Sequence, residues 1–231
     1  MAGKDITITT PDGTFGAYLA APTAGKGPGI VVIQEIFGVN GFVRAVADGF
    51  AARGHFALAP DLFWRIEPNV QLTDKTNEDW KRAFDLMGRF NADLGVKDIQ
   101  AAINHLRGTE NCTKVGAVGY CLGGLLAYLT AARTDVDASV GYYGVNIQQM
   151  LGEAKTIRKP LLLHVAEKDR FVPSAAQKQM IEGLKDNPQV TIHTYPEMDH
   201  AFARVGGEHH DHANAELANS RTATFFRQHL S

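Results

Sequence analysis

The chain has 231 residues, of which 23 are lysine or arginine and 25 are aspartate or glutamate, so its formal net charge is −2. An apolar fraction of 45% and a charged fraction of 21% are ordinary for a globular protein and exclude a disordered chain. The nearly neutral balance gives no electrostatic reason to bind nucleic acid or an anionic membrane surface. We therefore expect neither as a partner.

The sequence also bears on the cellular compartment. No apolar run approaches the roughly 18 residues of a membrane span, and the start Met1–Asp5 does not have the pattern of a signal peptide. The two cysteines, Cys112 and Cys121, cannot form a disulfide framework and lack CxxC spacing. These features predict a cytoplasmic protein.

The first elements along the chain predict a β-hairpin. Ile6–Thr9 alternates in residue type, Pro11–Gly13 is a turn signature, and Phe15–Ala20 is a suitable partner strand. Later apolar runs are short and continuous, as in strands that a parallel sheet buries on both faces. These runs are Gly29–Ile33, His55–Ala59, Lys114–Tyr120, Ala138–Tyr143, Pro160–Val165 and Val190–Tyr195.

Helical patterns separate the predicted strands. The segment Asn77–Arg107 predicts one broken helix, with Gly88 and Gly95 as its weak points. Further predicted helices are Phe42–Arg53, Leu122–Arg133, Ala175–Lys185 and Ala213–His229. The alternation favours a single α/β domain over residues 1–231, with a mostly parallel sheet of about eight strands and helices on both faces.

The stretch Val115–Gly124 contains the most informative motif, an apolar strand that runs into Gly-x-Cys-x-Gly and then a helix. This is the nucleophile-elbow pattern with cysteine in the serine position, in which side chains at Gly119 and Gly123 would collide with nearby backbone. Cys121 would attack a carbonyl carbon as thiolate, and the Leu122 amide would form half of an oxyanion hole. The alternatives are an inert buried cysteine in a glycine-rich turn and, with less support, a phosphate-binding loop.

Partners for the cysteine are predicted later in the chain, in the order acid and then histidine. Asp169 follows the strand pattern 160–165, and His200 follows the pattern 190–195, so both lie beyond strand ends, where α/β sheets place their sites. Asp169 would orient His200, which would transfer protons to and from Cys121. The alternative for Asp169 is an acid that forms a turn or caps a helix, and the alternative for His200 is a solvent-exposed histidine without a function. His193 is a second candidate for the histidine.

Five segments together form a specific pattern: Gln34–Asn40, Pro60–Phe63, Gly119–Gly124, Gly141–Gly144 and His200–Arg204. With this pattern, nearly the whole chain resembles the dienelactone hydrolase (carboxymethylenebutenolidase) family of the α/β-hydrolase superfamily. The resemblance implies an α/β-hydrolase fold without a large lid, acting as a monomer. It also implies hydrolysis of dienelactone to maleylacetate in aromatic-compound catabolism, without metal or organic cofactor.

The resemblance assigns further site residues. Glu35 matches the family's switching carboxylate, and Ile36 matches the residue that supplies the second oxyanion amide. Arg204 matches an arginine that grips the substrate carboxylate, a task that suits the planar guanidinium fork. The aromatic residues at cleft-lining positions, which core packing would explain almost as well, are Phe37, Tyr143 and Phe171.

The sequence departs from the family pattern at one recognition position. The family has a second carboxylate-binding arginine before the long middle helix, where this chain has Trp80, followed by Lys81 and Arg82. Trp80 and Arg82 are therefore candidate substrate-binding residues, since a shift of one or two residues in the alignment would restore a cation at this position. Met87 stands where the family has a large aromatic residue, which indicates a reshaped pocket. A broader carboxylesterase is therefore an alternative function, and a non-catalytic ligand-binding or thiol-sensing protein is a minor one.

The segment Glu208–His212 contains three histidines and two carboxylates, which are residue types that bind metals. His209 and His210 are adjacent and cannot share one helix face, so we favour an exposed polar loop over a metal site. Cys112, just before a predicted strand, is expected to be a packing or surface thiol.

Overall fold

A computed structural model describes residues 3–231, so Met1 and Ala2, which belong to the segment examined for a signal peptide, lie outside the described residues. The strands are β1 (Lys4–Thr10), β2 (Gly13–Ala20), β3 (Gly29–Ile33), β4 (Phe56–Pro60), β5 (Val115–Tyr120), β6 (Ala138–Tyr142), β7 (Leu161–Ala166) and β8 (Val190–Tyr195). They form one eight-stranded sheet in the order β1-β2-β4-β3-β5-β6-β7-β8.

Six α-helices alternate with these strands. They are α1 (Gly41–Ala52), α2 (Asn77–Arg89), α3 (Ala92–Gly108), α4 (Leu122–Arg133), α5 (Ser174–Leu184) and α6 (His212–His229). A 3₁₀ helix, which the sequence analysis did not predict, covers Ile147–Thr156. Across residues 3–231, none of the helices combines the length and the apolar character needed to cross a membrane.

The sheet has the predicted N-terminal hairpin. β1 pairs antiparallel with β2, from Lys4 opposite Leu19 to Thr10 opposite Gly13, so the turn lies where the sequence predicts it. β2 also pairs antiparallel with β4, whereas the pairs β3–β4, β6–β7 and β7–β8 are parallel. All residues of β3 to β7 are buried, which explains why these strands are continuous apolar runs in the sequence.

The predicted break in the middle helix is at a different place. α2 ends at Arg89 and α3 begins at Ala92, with Asn91 accepting hydrogen bonds from the Asp93 and Leu94 amides as the N-cap. The helix is broken as predicted, but the two glycines named as weak points, Gly88 and Gly95, lie inside the helices, and the break falls between them. Gly95 instead makes room for Phe90, because a Cβ at this position would lie 2.4 Å from its ring.

The described chain divides into two compact units, the first ending at Ala117 and the second covering Val118–Ser231. In the first unit, α1 packs on β2, β3 and β4, and α3 packs on β3 and β4. In the second unit, α4 packs on β6, and α6 packs on β6 and β7. The boundary falls within β5, and a single functional domain remains a prediction.

Helix α4 approaches the end of β6 very closely. A Cβ at Gly124 would lie 2.6 Å from the Cα of Gly144 and 2.7 Å from the carbonyl oxygen of Tyr142. Only glycine fits this contact, which fixes the first turn of α4 against the sheet. Cys121 immediately precedes that turn.

Candidate active site

The sharp turn predicted around the cysteine is present between β5 and α4. Cys121 has φ 57° and ψ −115°, a conformation that side chains rarely adopt, and only 8% of the residue is exposed. A Cβ at Gly119 would lie 1.9 Å from the carbonyl oxygen of Gly123, so the crossing requires glycine. The Cys121 amide donates to the Tyr142 carbonyl at 3.1 Å, which ties the turn to β6.

The residue after the cysteine begins a helix. Leu122 is the first residue of α4, and the Cys121 carbonyl accepts the Gly124 and Leu125 amides at 2.9 and 3.3 Å. Amides in the first turn of a helix have no acceptor within the helix and lie at the positive end of its dipole. The Leu122 amide can therefore stabilise negative charge near the sulfur, although its oxyanion role remains a prediction.

The structure brings the predicted acid and histidine together. The Nδ1 atom of His200 lies 2.8 Å from Oδ2 of Asp169, and both residues are buried. The other carboxylate oxygen, Oδ1, accepts the amides of Phe171 at 2.8 Å and Val172 at 3.1 Å. Because its two oxygens have separate partners, the Asp169 carboxylate is fixed in the orientation that holds the imidazole.

The imidazole of His200 also faces the cysteine. Burial lowers the pKa of His200, but the charge and hydrogen-bond contributions of Cys121 and Asp169 outweigh burial and raise this pKa to about 10. Since Nδ1 faces Asp169, the buried Nε2 is the ring nitrogen available to Cys121. Because its pKa is raised, the His200 imidazole holds a proton at neutral pH and is equipped to transfer it.

Two predicted cleft residues border this histidine. The rings of Tyr143 and Phe171 both approach His200 edge to face, with centroid distances of 5.0 and 4.9 Å. Tyr143 is buried, whereas Phe171 is 39% exposed. Tyr143 therefore packs behind the imidazole, and Phe171 presents an aromatic surface from which a flat ligand can be contacted.

A residue that the sequence analysis missed supports the loop of Asp169. Gln177 on α5 is buried, and its side-chain amide donates to the carbonyls of Ala166, Glu167 and Val172 at 3.0, 3.3 and 2.7 Å. These carbonyls lie on both sides of Asp169. A glutamine in an amphipathic helix has no distinctive sequence signal, so only the three-dimensional contacts identify this function.

Arg204 lies four residues after the histidine and is only 7% exposed. Its amide donates to the carbonyl of Ala201, and Gly207 follows so closely that a Cβ there would lie 2.9 Å from Nε of Arg204. Burial of a guanidinium is costly unless anionic or polar groups compensate it. Its predicted contact with a substrate carboxylate is not tested by the structure.

The remaining predicted site residues belong to the first unit. Glu35 follows β3 and is 1% exposed, and Ile36 and Phe37 are also buried. Trp80 contacts the ring of Phe37 edge to face at 5.0 Å. Arg82 is exposed and forms an ion pair with Glu67. The functions assigned to these five residues remain predictions.

Other candidates from the sequence have defined places in the structure. His193 lies within β8, opposite His164, rather than in a loop. His209 contacts the guanidinium of Arg170 and lies 3.9 Å from Asp199. In residues 3–231, no group of three or more histidine, cysteine or acidic residues is arranged to hold a metal ion. Cys112 is 3% exposed and acts as a packing residue.

Comparisons with known proteins identify the family of this chain. The model of the dienelactone hydrolase family matches residues 15–230. The chain belongs to this family. A carboxymethylenebutenolidase of Pseudomonas putida is 39% identical over 227 residues, which cover 97% of this chain and 96% of the relative. A protein of Azospirillum brasilense is 51% identical, with 98% and 99% of the two chains covered. The chain is therefore a hydrolase.

Solved structures agree with the fold. A Klebsiella pneumoniae crystal structure of 25% identity superposes with a TM-score of 0.87 and covers 98% of each chain. The dienelactone hydrolase-like promiscuous phosphotriesterase P91 has a TM-score of 0.82 at 21% identity, with both chains fully covered. The predicted α/β-hydrolase fold is confirmed, and no insertion large enough to form a lid interrupts the elements of residues 3–231.

Proposed function

We propose that this dienelactone hydrolase family member hydrolyses a small activated enol lactone, converting dienelactone to maleylacetate, with Cys121 as nucleophile. The observation that carries the proposal is the buried pair of Asp169 and His200, 2.8 Å apart, in which Cys121 and Asp169 raise the pKa of the imidazole. Such a pairing activates a thiol, and an inert packing cysteine needs neither partner. The carboxymethylenebutenolidase relatives support the choice of lactone.

In the first step, the Cys121 sulfur attacks the lactone carbonyl carbon, and the bond between this carbon and the ring oxygen breaks. The Leu122 amide stabilises the negative charge that develops on the carbonyl oxygen. The ring oxygen leaves as an enolate, which accepts a proton from the His200 imidazolium. An enolate is a good leaving group, so a thiolate is a sufficiently strong nucleophile for this substrate.

In the second step, His200 accepts a proton from water, which attacks the thioester carbonyl. The carbon–sulfur bond then breaks, and the new carboxylic acid gives its proton to solvent as the product leaves. The enol formed in the first step tautomerises to the ketone of maleylacetate. The sulfur and imidazole return to their starting state, so the net reaction consumes one lactone and one water. Asp169 holds the imidazole in one orientation through both proton transfers.

The resemblance to the family adds two roles in the first unit. Glu35 is the carboxylate proposed to switch the protonation of Cys121, and the Ile36 amide is the second oxyanion donor. A buried carboxylate near a thiol disfavours the thiolate and would protect it from oxidation at rest. The proposal also places the enzyme in the cytoplasm, in aromatic-compound catabolism, as a monomer without a cofactor.

Arg204 is proposed to bind the carboxylate of the substrate. We expect Arg204→Ala to raise KM for a carboxylated lactone by about tenfold or more, because a charge-assisted hydrogen bond is lost, and to change kinetics on a neutral aryl ester little. Arg133→Ala is the matched control, since Arg133 pairs with Glu153 at the surface. Equal losses on both substrates would exclude Arg204 from carboxylate recognition.

A broader carboxylesterase is the second candidate. The position of the family's second arginine is occupied by Trp80, which lies in an aromatic cluster with Phe37 and Phe84. The nearest arginine in sequence, Arg82, is already paired with Glu67. With less positive charge available for the substrate, neutral esters compete better with carboxylated lactones.

One experiment separates these candidates. Steady-state kinetics of the purified protein on cis-dienelactone, trans-dienelactone and a neutral aryl ester would give three values of kcat/KM. A clear preference for a dienelactone supports the main proposal, and a preference for the neutral ester supports the broader esterase.

Mass spectrometry after mixing with an activated ester tests the nucleophile. An acyl group on the peptide that contains Cys121, absent in Cys121→Ala, supports covalent catalysis. A thiol that is never acylated and yields only oxidation products would contradict it and favour the thiol-sensing alternative.

A further inference from the structure

A second aspartate lies directly beside the Asp169–His200 pair. The Oδ1 atom of Asp199 accepts the amide of Arg170 at 3.0 Å and the amide of His200 at 2.6 Å. The first amide belongs to the residue after Asp169, and the second belongs to the histidine itself. One oxygen therefore joins the backbone of the two loops that carry the pair.

The other oxygen of Asp199, Oδ2, binds the side chain of Arg170, which follows Asp169 in the same loop. Oδ2 accepts hydrogen bonds from the Arg170 guanidinium, at 2.9 Å from Nε and 2.8 Å from a terminal nitrogen. His209 also faces this ion pair. Although partial burial acts in the opposite direction, the hydrogen bonds from Arg170 and His200 lower the pKa of Asp199. The aspartate is thus an ionised acceptor on both oxygens.

The loop of the histidine needs such support. Glu197 and Ala201, on either side of His200, have φ angles of 60° and 64°, which are unfavourable for residues other than glycine. Backbone hydrogen bonds join the loops as far as Lys168 and Met198, at 2.8 Å. Beyond these residues, towards the catalytic pair, Asp199 continues the connection through its side chain.

We propose that Asp199 is a positioning residue for catalysis, which sets the distance and orientation between Asp169 and His200 by binding an amide of each loop. The inference rests on the proposed function, because it requires this pair to perform the chemistry. Asp199 acts through the backbone and does not contact the reacting sulfur. It should therefore affect kcat and leave KM nearly unchanged.

Four variants separate this function from a general loop-stabilising one. Asp199→Ala removes both sets of hydrogen bonds. Asp199→Asn keeps an oxygen that can accept the two amides. Arg170→Ala removes the guanidinium and keeps the amide of residue 170. Lys168→Ala is the matched control, because Lys168 forms an exposed ion pair with Glu197 that joins the same two loops only through side chains.

The four variants should differ in kcat on the best substrate. Asp199→Ala should lower kcat by about tenfold or more, because misplacement of catalytic groups by about 1 Å can cost about 100-fold. Asp199→Asn and Arg170→Ala should stay within a few-fold of wild type, and Lys168→Ala should match it. KM should change little in all four variants.

The pH dependence of kcat/KM gives a readout that simple loop loosening would not move. Asp169 raises the pKa of His200, so a misplaced carboxylate supports the imidazolium less. The alkaline limb of the profile should shift to lower pH in Asp199→Ala and stay in place in Asp199→Asn and Lys168→Ala.

Thermal unfolding of each variant identifies any that do not fold. If Asp199→Ala is unfolded, Asp199→Ser replaces it, since one short hydroxyl cannot serve both amides. A folded Asp199→Ala or Asp199→Ser with kcat and pH profile equal to Lys168→Ala would overturn the inference. An inactive wild type, by contrast, would contradict the proposed function, and Asp169→Ala would confirm that the assay depends on the pair.

Discussion

His164 and His200 are both almost fully buried, one within β7 and the other in the loop after β8, yet they have opposite surroundings. His164 lies among neutral hydroxyls, with Tyr195 Oη at 2.7 Å from Nδ1 and Thr222 Oγ1 at 2.9 Å from Nε2. His200 instead lies between the Asp169 carboxylate and the Cys121 sulfur. The hydrogen-bond partners of His164 are neutral hydroxyls, whereas His200 has a carboxylate as its hydrogen-bond partner.

The two histidines show that neighbouring groups can outweigh the effect of burial on the pKa of an imidazole. Burial, together with the nearby His193 and Arg221, holds the pKa of His164 well below its ordinary value. Burial acts in the same direction on His200, but the contributions of Cys121 and Asp169 reverse the outcome and raise the pKa to about 10. The neutral histidine connects α6 to the sheet, whereas the charged histidine is equipped for proton transfer.

The largest expected effect is on activity. His200→Ala should lower kcat by about a thousandfold or more, because the group that transfers protons is removed. His193→Ala is the control and should remain near wild type, since His193 lies within β8. Kinetics on the best substrate measures both. Activity similar to wild type in His200→Ala would point to His193 or to the absence of a triad.

The next largest expected effect is on stability and concerns the buried hydrogen-bond network around His164. His164→Ala should lower the free energy of unfolding by about 2–4 kcal/mol, because it leaves a cavity and removes the partner of two buried hydroxyls. Tyr142 belongs to the same network, with its hydroxyl 2.6 Å from Thr222. Urea denaturation gives the value. A loss below about 1 kcal/mol would mean that the network contributes little.

The smallest expected effect is on the titration of the two buried histidines, His164 and His200. By nuclear magnetic resonance of the imidazoles, His200 should stay protonated up to about pH 10, and His164 should stay neutral near neutral pH. Cys121→Ala should lower the pKa of His200, because the contribution of the sulfur is lost, and leave His164 unchanged. An unchanged His200 would show that the sulfur does not contribute to its charge.

Much of the site could be predicted from the chain itself. Cys121 is marked by the glycines of a strained turn, and Asp169 and His200 follow strand patterns whose ends meet at one edge of a parallel sheet. The contact between Asp169 and His200 agrees with that prediction. Local pattern and strand order are sufficient here, because each residue's position follows from the element before it.

The supporting residues could not be predicted in this way. Gln177 and Asp199 act by binding backbone groups of loops that are distant in sequence, and no residue pattern specifies which carbonyls or amides they reach. The break in the middle helix is similar. Asn91 could be recognised as an N-cap, but the reason that Gly95 continues the helix is the ring of Phe90 against it.

Periodicity and glycine spacing are local properties of the chain, so the amino-acid sequence was sufficient to predict the fold class, the strained turn and the candidate residues Cys121, Asp169 and His200. The fold and the turn are confirmed, and the catalytic functions of the three residues stay predictions. The opposite pKa shifts of the two buried histidines, His200 and His164, could be found only from the tertiary structure. That difference depends on the distances from each imidazole to carboxylate, sulfur and hydroxyl groups. Strand register and loop contacts set these distances through space, and electrostatic interactions in a buried site change strongly with them.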